Sequence, residues 1–133
     1  MAELKEPRLL YNCILTPDGT ALVSRHRHDY VSYVDDNKET YVNDGGLDYL
    51  RRSVNKEPYI DMSIYDTDDF ETIRFYFERC GYGKNGDEPL HYTKLKDMSD
   101  DHIQAVIDYE TERGGKFIEI YKKEQKYRKK KGL

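Results

Sequence analysis

The chain has 133 residues, of which 37% are hydrophobic and 36% are charged, and its net charge is −4 at pH 7. This length predicts one domain, residues 1–133, and the acidic balance argues against binding to duplex DNA, which requires a large positive face. The sequence lacks the run of about 18 apolar residues that a membrane span needs, and its charged first residues do not resemble a secretion signal. We therefore expect a cytoplasmic protein without membrane contact.

The first half of the sequence, residues 8–65, predicts antiparallel β-structure. The turn sequence TPDG (16–19) separates two apolar runs, which is typical of a β-hairpin. A second hairpin follows, and the adjacent Gly45 and Gly46 then allow a tight reversal that presents Arg51 and Arg52. Strands are predicted at 9–15, 20–26, 30–34, 39–42 and 59–65.

The second half, residues 66–131, is predicted to be mainly helical. The first helix covers 66–83, with an acidic first turn and Gly81 at its end. At about 100° per residue, Phe75 lies nearly opposite the apolar face of this helix. That face is predicted to contain Phe70, Ile73, Phe77 and Cys80.

A short strand over 90–95 precedes two terminal helices, predicted at 98–115 and 116–130. Ser99 is the expected N-cap of the first, and Gly114–Gly115 joins the two into an antiparallel hairpin. Strands followed by helices are typical of an α+β fold. We expect an N-terminal antiparallel β-sheet, a middle helix and a C-terminal helical hairpin.

The densest polar cluster is RHRHDY, residues 25–30. If this stretch is extended, His26 and His28 share one face and can bind a metal together. The sequence does not place further ligands beside them, two cysteines are too few for a cysteine-based zinc site, and the arginines repel a cation. A catalytic interpretation, with His28 and Asp29, is weak because neighbouring side chains diverge on a strand.

An anion-binding interpretation fits the residues better. Arg25 and Arg27 would lie on one strand face, about 6–7 Å apart, which suits a phosphate group. The loop at 81–89 offers backbone N–H groups, and its Asn85 and Asp87 offer contacts to a base or ribose. Phe75 could stack on a base.

The alternative interpretation is purely structural: Phe75 is buried at a subunit interface, the arginines pair with acidic residues, and the glycine loop is an ordinary turn. The arginines concerned include the weaker candidates Arg51, Arg52 and Arg74. The histidines of the cluster, His26 and His28, would then position the strand through hydrogen bonds.

Two segments, which together cover roughly half of the chain, resemble small phage and prophage proteins. The first is SRHRHDYVSYVDDNKETYVNDGGLDYLRRS (24–53), with the pattern S-[KR]-H-x-H-D-[FY] followed by DGGLDYLRR. The second is GYGKNGDEPLHYTKLKDMSDDHIQAVIDYE (81–110), with the pattern GKNG-x-x-PL. Some relatives carry cysteine pairs around the first segment, in the manner of a zinc ribbon. The equivalent positions here are Leu15, Asp18, Tyr33 and Asp35, so the resemblance implies no such metal site.

Among characterised families, the chain is most similar to the first Thoeris anti-defence family of phage proteins. The resemblance implies an oligomeric sponge, not an enzyme, which binds cyclic ADP-ribose isomers made by host TIR proteins and, in some members, cyclic oligonucleotides of the CBASS system. It implies that Phe75, Asn85 and Asp87 contact the ADP-ribose signal, and that Arg27 and Thr93 contact oligonucleotide phosphates. A helical arginine pair expected to hold phosphate is replaced here by His102 and Val106.

The sequence therefore predicts a sponge that sequesters cyclic nucleotide signals in the host bacterial cytosol, without a cofactor and as a homo-oligomer, either a dimer or a hexamer. The expected ligand-binding residues are Arg25, Arg27, His28, Arg51, Phe75, Asn85, Asp87 and Thr93. Two alternatives stay open. One is a nucleotide-cleaving enzyme that uses His28 and Asp29. The other is a protein-binding inhibitor of a host defence factor, which would act through a tyrosine-rich surface, drawn from 13 tyrosines, and through the basic segment 113–131. The alternative interpretation of the KYRKKKGL end (126–133) is a solvated tail.

Overall fold

The computed structural model describes residues 7–52, 58–82 and 86–132. Antiparallel sheets come first, then a middle helix, then two C-terminal helices, so the predicted α+β class is confirmed. The chain divides into two compact units, with the border between Ile73 and Arg74; the expectation of one domain stays a prediction. The elements of the described residues are β1 (Leu9–Leu15), β2 (Ala21–Ser24), β3 (Val31–Val34), β4 (Thr40–Asp44), β5 (Arg51–Arg52), β6 (Ile60–Asp61), β7 (Ile64–Tyr65), α1 (Phe70–Tyr76), β8 (Glu78–Gly81), β9 (His91–Lys94), α2 (Asp100–Arg113) and α3 (Ile118–Lys131).

The first unit contains two antiparallel sheets. One places β1 between β2 and the short strands β6 and β7, and the other has the order β3-β4-β5. Both predicted hairpins are therefore confirmed. The strand predicted over 59–65 is interrupted, because the Ser63 hydroxyl accepts a hydrogen bond from the Cys13 amide at 3.1 Å. Ile14, Leu22 and Tyr41 form the buried apolar cluster of this unit.

The middle helix is shorter than predicted. It begins at Phe70 and ends at Tyr76, and residues 78–81 form β8, which pairs with β9 in a two-stranded ribbon. The prediction of a helix through Gly81 is wrong, because Phe77 leaves the helix to stack on Phe117 and Tyr121, and its carbonyl accepts the Leu95 amide at 2.8 Å. Cys80, expected on the apolar face, is exposed.

The two terminal helices agree with the sequence. The Ser99 hydroxyl accepts the His102 amide at 3.1 Å at the start of α2, and Gly114, at φ 66°, ends it. The Arg128 guanidinium, near the end of α3, bonds Asp100 at the start of α2 at 2.8 Å, so the helices run antiparallel. Within the ranges described above, no helix combines the length and the apolar content needed to cross a membrane.

A buried carboxylate stabilises the second unit. Glu124 on α3 is 0% exposed. It accepts hydrogen bonds from Arg74 Nε at 2.7 Å and Nη2 at 2.9 Å, and from Arg128 Nε at 2.8 Å. Two guanidinium groups therefore neutralise the buried charge, and Arg128 also donates to the Leu95 carbonyl at 3.1 Å. Arg74, a weaker anion-binding candidate, is thus part of an internal ion pair.

Candidate functional site

Two regions contain the candidate residues. The first, here called the motif turn, consists of residues 24–29 and 44–49 in the first unit. The second, here called the cleft, lies in the second unit between the β8–β9 ribbon and α2. Each region is built from residues of its own unit, and the chemistry of each differs.

The motif turn begins where β2 ends. The Asp29 carboxylate accepts the Arg25 amide at 2.8 Å, and the Ser24 hydroxyl donates to the Asp29 carbonyl at 2.7 Å. These local bonds close a turn in place of an extended strand, and His28 takes a left-handed φ of 62°. The predicted strand over 20–26 is therefore too long, and Arg25 and Arg27 do not lie on one strand face as expected.

Gly45 and Gly46 bring the second half of the motif turn against the first. The Gly46 amide donates to the Ser24 hydroxyl at 2.9 Å. A Cβ atom on Gly46 would lie 2.4 Å from the His26 carbonyl carbon, and one on Gly45 would lie 2.0 Å from the Tyr49 carbonyl oxygen. Only glycine permits this approach. The SRHRHD and DGGLDY sequences therefore form one local structure, which the sequence did not reveal.

A chain of hydrogen bonds crosses the motif turn. Arg27 Nε donates to His28 Nε2 at 3.3 Å, His28 Nδ1 lies 2.6 Å from the Tyr49 hydroxyl, and that hydroxyl donates to Asp44 Oδ2 at 3.3 Å. Asp44 is 4% exposed, and its Oδ1 atom has no hydrogen-bond partner among the described residues. Burial, followed by the charge of Asp44, raises the pKa of Tyr49.

The other candidates of the first unit have varied surroundings. Asp29 lies 3.8 Å from His26 Nε2, so its nearest histidine is His26. Arg51 is exposed on β5 and is paired in register with Asp44.

Arg52 is held by three neighbouring side chains. It donates to Asn12 at 2.8 Å and to Ser63 at 2.7 Å, and it pairs with Asp61 at 3.3 Å. The structural interpretation of the arginines thus applies to Arg52, which ties β5 to β1.

The cleft has a volume of about 720 Å³. The ribbon supplies Arg79 and Thr93, which are partners in register, and α2 supplies His102 from its first turns. Thr93, expected to contact oligonucleotide phosphates, lines the cleft. The described residues that line it are Arg79, Cys80, Gly81, Glu88, His91, Thr93, Ser99, Asp101, His102 and Ala105.

The charges of the cleft are mixed. Arg79 Nη1 bonds Glu110 at 3.1 Å. Burial disfavours its charge, but hydrogen bonds with Tyr121 and Glu110 raise the pKa of Arg79 overall. Burial, followed by the charges of Arg79 and His91, lowers the pKa of His102. His102 is therefore neutral near pH 7 and can both donate and accept hydrogen bonds.

The sequence did not predict that His91 and His102 line the same cleft. The two histidines are eleven positions apart and belong to a strand and a helix. The pairing of β8 with β9 places His91 beside α2, and the sequence had assigned β8 to a helix. The only signal was the predicted strand over 90–95, which was not sufficient to locate its partner.

Phe75 is 51% exposed, which confirms that its ring lies off the buried face of α1. Lys94 Nζ and Lys96 Nζ lie 5.8 and 5.1 Å from the centre of the ring, and the Tyr76 ring packs edge-on at 5.3 Å. Because successive strand residues point to opposite faces, Lys94 lies on the other face of the ribbon from Thr93. The Phe75 ring therefore lies near the face of the ribbon that is opposite the cleft.

Two expected contacts lie in the loop before β9. Asp87 is exposed, and Asn85 lies outside the described residues. Across residues 7–52, 58–82 and 86–132, no three His, Cys, Asp or Glu side chains converge as metal ligands. Cys13 and Cys80 are free thiols.

Comparison with known proteins finds no match for this chain among family models, curated proteins or solved structures.

Proposed function

We propose that the protein binds a small cyclic nucleotide and sequesters it without cleaving it, as a phage anti-defence sponge. The observation that carries this proposal is the cleft. Its volume of about 720 Å³ lies within the range of roughly 300–1,000 Å³ that is typical of small-molecule sites. The lining combines the positive charge of Arg79 with neutral hydroxyl and imidazole groups and with two carboxylates, and a nucleotide presents groups that can bond to each of these.

Each part of a nucleotide has a partner in the lining. Arg79, held by Glu110, supplies a guanidinium group for phosphate, and the Thr93 and Ser99 hydroxyls supply neutral donors. The neutral His102 side chain suits the polar edge of a base. Glu88 and Asp101, which also line the cleft, can accept hydrogen bonds from ribose hydroxyls.

The exposed Phe75 ring supports a second contact. Base stacking on an aromatic ring is worth about 1–3 kcal/mol, and the ammonium groups of Lys94 and Lys96 beside the ring suit the accompanying phosphates. Phe75 and Thr93 are associated with opposite faces of the ribbon. In the proposed homo-oligomer, one ligand could contact Thr93 of one copy and Phe75 of another.

Sequestration is preferred over cleavage because of the motif turn. A cleaving enzyme that uses His28 and Asp29 needs the carboxylate to orient the imidazole. Instead, Asp29 accepts the Arg25 amide and lies near His26, while the His28 side chain bonds the Tyr49 hydroxyl. The pairing of His28 with Asp29 that this enzyme would need is therefore not formed.

Titration calorimetry with cyclic ADP-ribose isomers and cyclic di- and trinucleotides tests the proposal. The wild type should bind at least one of them, and Ala105→Trp should fill the cleft and weaken that binding at least tenfold, a loss of about 1.4 kcal/mol. Glu112→Trp is the matched control, since it places the same residue at an exposed position of α2 in a chain without tryptophan. Absence of binding by the wild type, or equal binding by the two variants, would overturn the proposal.

A further inference from the structure

The hydrogen bonds of the motif turn determine which atom carries the proton in each bond of the chain from Arg27 to Asp44. The Tyr49 hydroxyl donates to Asp44 Oδ2, so its oxygen is left to accept from His28 Nδ1–H. His28 Nε2 is then unprotonated and accepts the Arg27 Nε–H. The network therefore selects the Nδ1–H form of neutral His28, and it joins a buried carboxylate to an exposed guanidinium group.

This arrangement is costly for the fold. His28 takes a left-handed backbone conformation, which is unfavourable for a residue with a side chain. Asp44 is buried with one carboxylate oxygen lacking a partner in the described ranges. Strained backbone and under-satisfied buried polar groups persist where the surroundings enforce them, and they are concentrated at functional sites.

We infer that Asp44, Tyr49 and His28 are positioning residues that hold the Arg27 guanidinium ready for a phosphate group. The inference rests on the proposed nucleotide binding and identifies how the motif turn serves it. Arg27 is exposed, and in the described part of the chain only its Nε is engaged in a hydrogen bond, with His28. Its Nη1 and Nη2 groups are left to form the two parallel hydrogen bonds of an arginine–phosphate pair.

The inference changes the role of His28. The sequence placed it among the ligand-binding residues, whereas the network uses both of its ring nitrogens within the protein. His28 acts on the ligand through Arg27, and Tyr49 acts through His28. The close packing of Gly46 against the His26 backbone keeps these groups in position.

Nitrogen-15 spectroscopy of the imidazole rings gives a readout that a merely structural role would not move. In the wild type at neutral pH, His28 should be the Nδ1–H form. Tyr49→Phe removes only the hydroxyl and should convert His28 largely to the Nε2–H form. Tyr30→Phe, at an exposed position of the same unit, is the control and should leave the form of His28 unchanged.

Affinity provides the second readout, with cyclic di-AMP and inorganic pyrophosphate as probes in calorimetry. Tyr49→Phe should weaken binding about tenfold, Arg27→Ala by at least as much, and the double variant no further than Arg27→Ala. His28→Asn interrupts the network at an exposed position, and asparagine tolerates the left-handed backbone. It should give the same loss even if Tyr49→Phe does not fold.

The outcomes separate this inference from the proposed function. If wild-type His28 is the Nε2–H form, or if Tyr49→Phe and His28→Asn bind both probes as the wild type does, the inference is overturned. If cyclic di-AMP fails to bind but pyrophosphate binds in a manner that depends on Tyr49 and Arg27, the positioning network stands and nucleotide sequestration by this site is contradicted. If the wild type binds neither cyclic di-AMP nor pyrophosphate, the inference is overturned as well.

Discussion

The motif turn and the cleft present two different ways of building a polar site. The turn is a surface feature made from two short, locally ordered segments, and its groups are fixed by hydrogen bonds to backbone and to the buried Asp44. The cleft is a concave feature made by long-range pairing of a ribbon with a helix, and it mixes acidic and basic side chains. A dense motif therefore marks strong local constraint, whereas a cavity depends on tertiary packing.

The two regions also differ in what stabilises them. The turn depends on glycines that let backbone segments touch, so its weak point is steric. The helices beside the cleft depend on Glu124, a buried charge shared by Arg74 and Arg128. Variants that remove each support separately test this difference.

The largest effect is expected from Glu124→Gln. It keeps the side-chain volume but leaves two guanidinium groups without their buried countercharge, and we expect a loss of about 3 kcal/mol in unfolding free energy. Urea unfolding followed by circular dichroism measures it. Glu119→Gln, exposed on the same helix, should change the stability by less than about 0.5 kcal/mol. Equal stability of the two variants would show that the buried network does not support the second unit.

Gly46→Ala should have the next largest effect. Alanine is unfavourable at φ 54°, and its Cβ would overlap the His26 backbone at 2.4 Å. Gly19→Ala is the matched control, because Gly19 has φ 89° but nothing within 4 Å. The backbone cost of about 1–2 kcal/mol applies to both, and the overlap adds about 1–3 kcal/mol only to Gly46→Ala. Similar unfolding midpoints for the two would contradict the close packing of the motif turn.

Phe75→Ala tests the face opposite the cleft. Loss of stacking should weaken nucleotide binding by about 1–3 kcal/mol, with little change in stability because the ring is 51% exposed. Tyr30→Ala removes another exposed ring, 58% exposed, from the first unit and should leave the affinity unchanged. Calorimetry on both variants measures the difference. Unchanged binding by Phe75→Ala would show that this ring does not contact the ligand.

The smallest effect concerns pH. Hydrogen bonds from Thr16, Tyr33 and Thr20 lower the pKa of Asp18 from 3.8 to about 2. Since the folded state prefers the charged form, this contribution to stability is complete above pH 3.8 and is lost as the pH falls towards 2. The melting temperatures of the wild type and Asp18→Asn should therefore converge between pH 5 and 2.

Local signals account for what the sequence predicted correctly. TPDG marks the first hairpin, and Ser99 and Gly114 mark the ends of α2, because each of these residues acts on its own neighbours. Long-range packing accounts for the errors. Phe77 fits the helical period but leaves the helix for Phe117 and Leu95, which no local pattern shows.

The candidate sites follow the same division. The exposure of Phe75 could be predicted from the period of its helix, and Thr93 lies in the cleft. The turn at Ser24–Asp29 could not be predicted, since two side chains replace the strand ladder with local bonds. The roles of Arg25, Arg51 and Asp87 stay predictions, as does that of Asn85, outside the described residues.

Recovery of the bound nucleotide distinguishes sequestration from cleavage. The protein, in molar excess, is incubated with a cyclic nucleotide that it binds in calorimetry, the free ligand is removed by filtration, and the complex is then heated to unfold the protein. Sequestration predicts that the released nucleotide is intact and stoichiometric by mass spectrometry. Release of a linear or shortened product, formed by the wild type but not by Ala105→Trp, would contradict sequestration and indicate an enzyme.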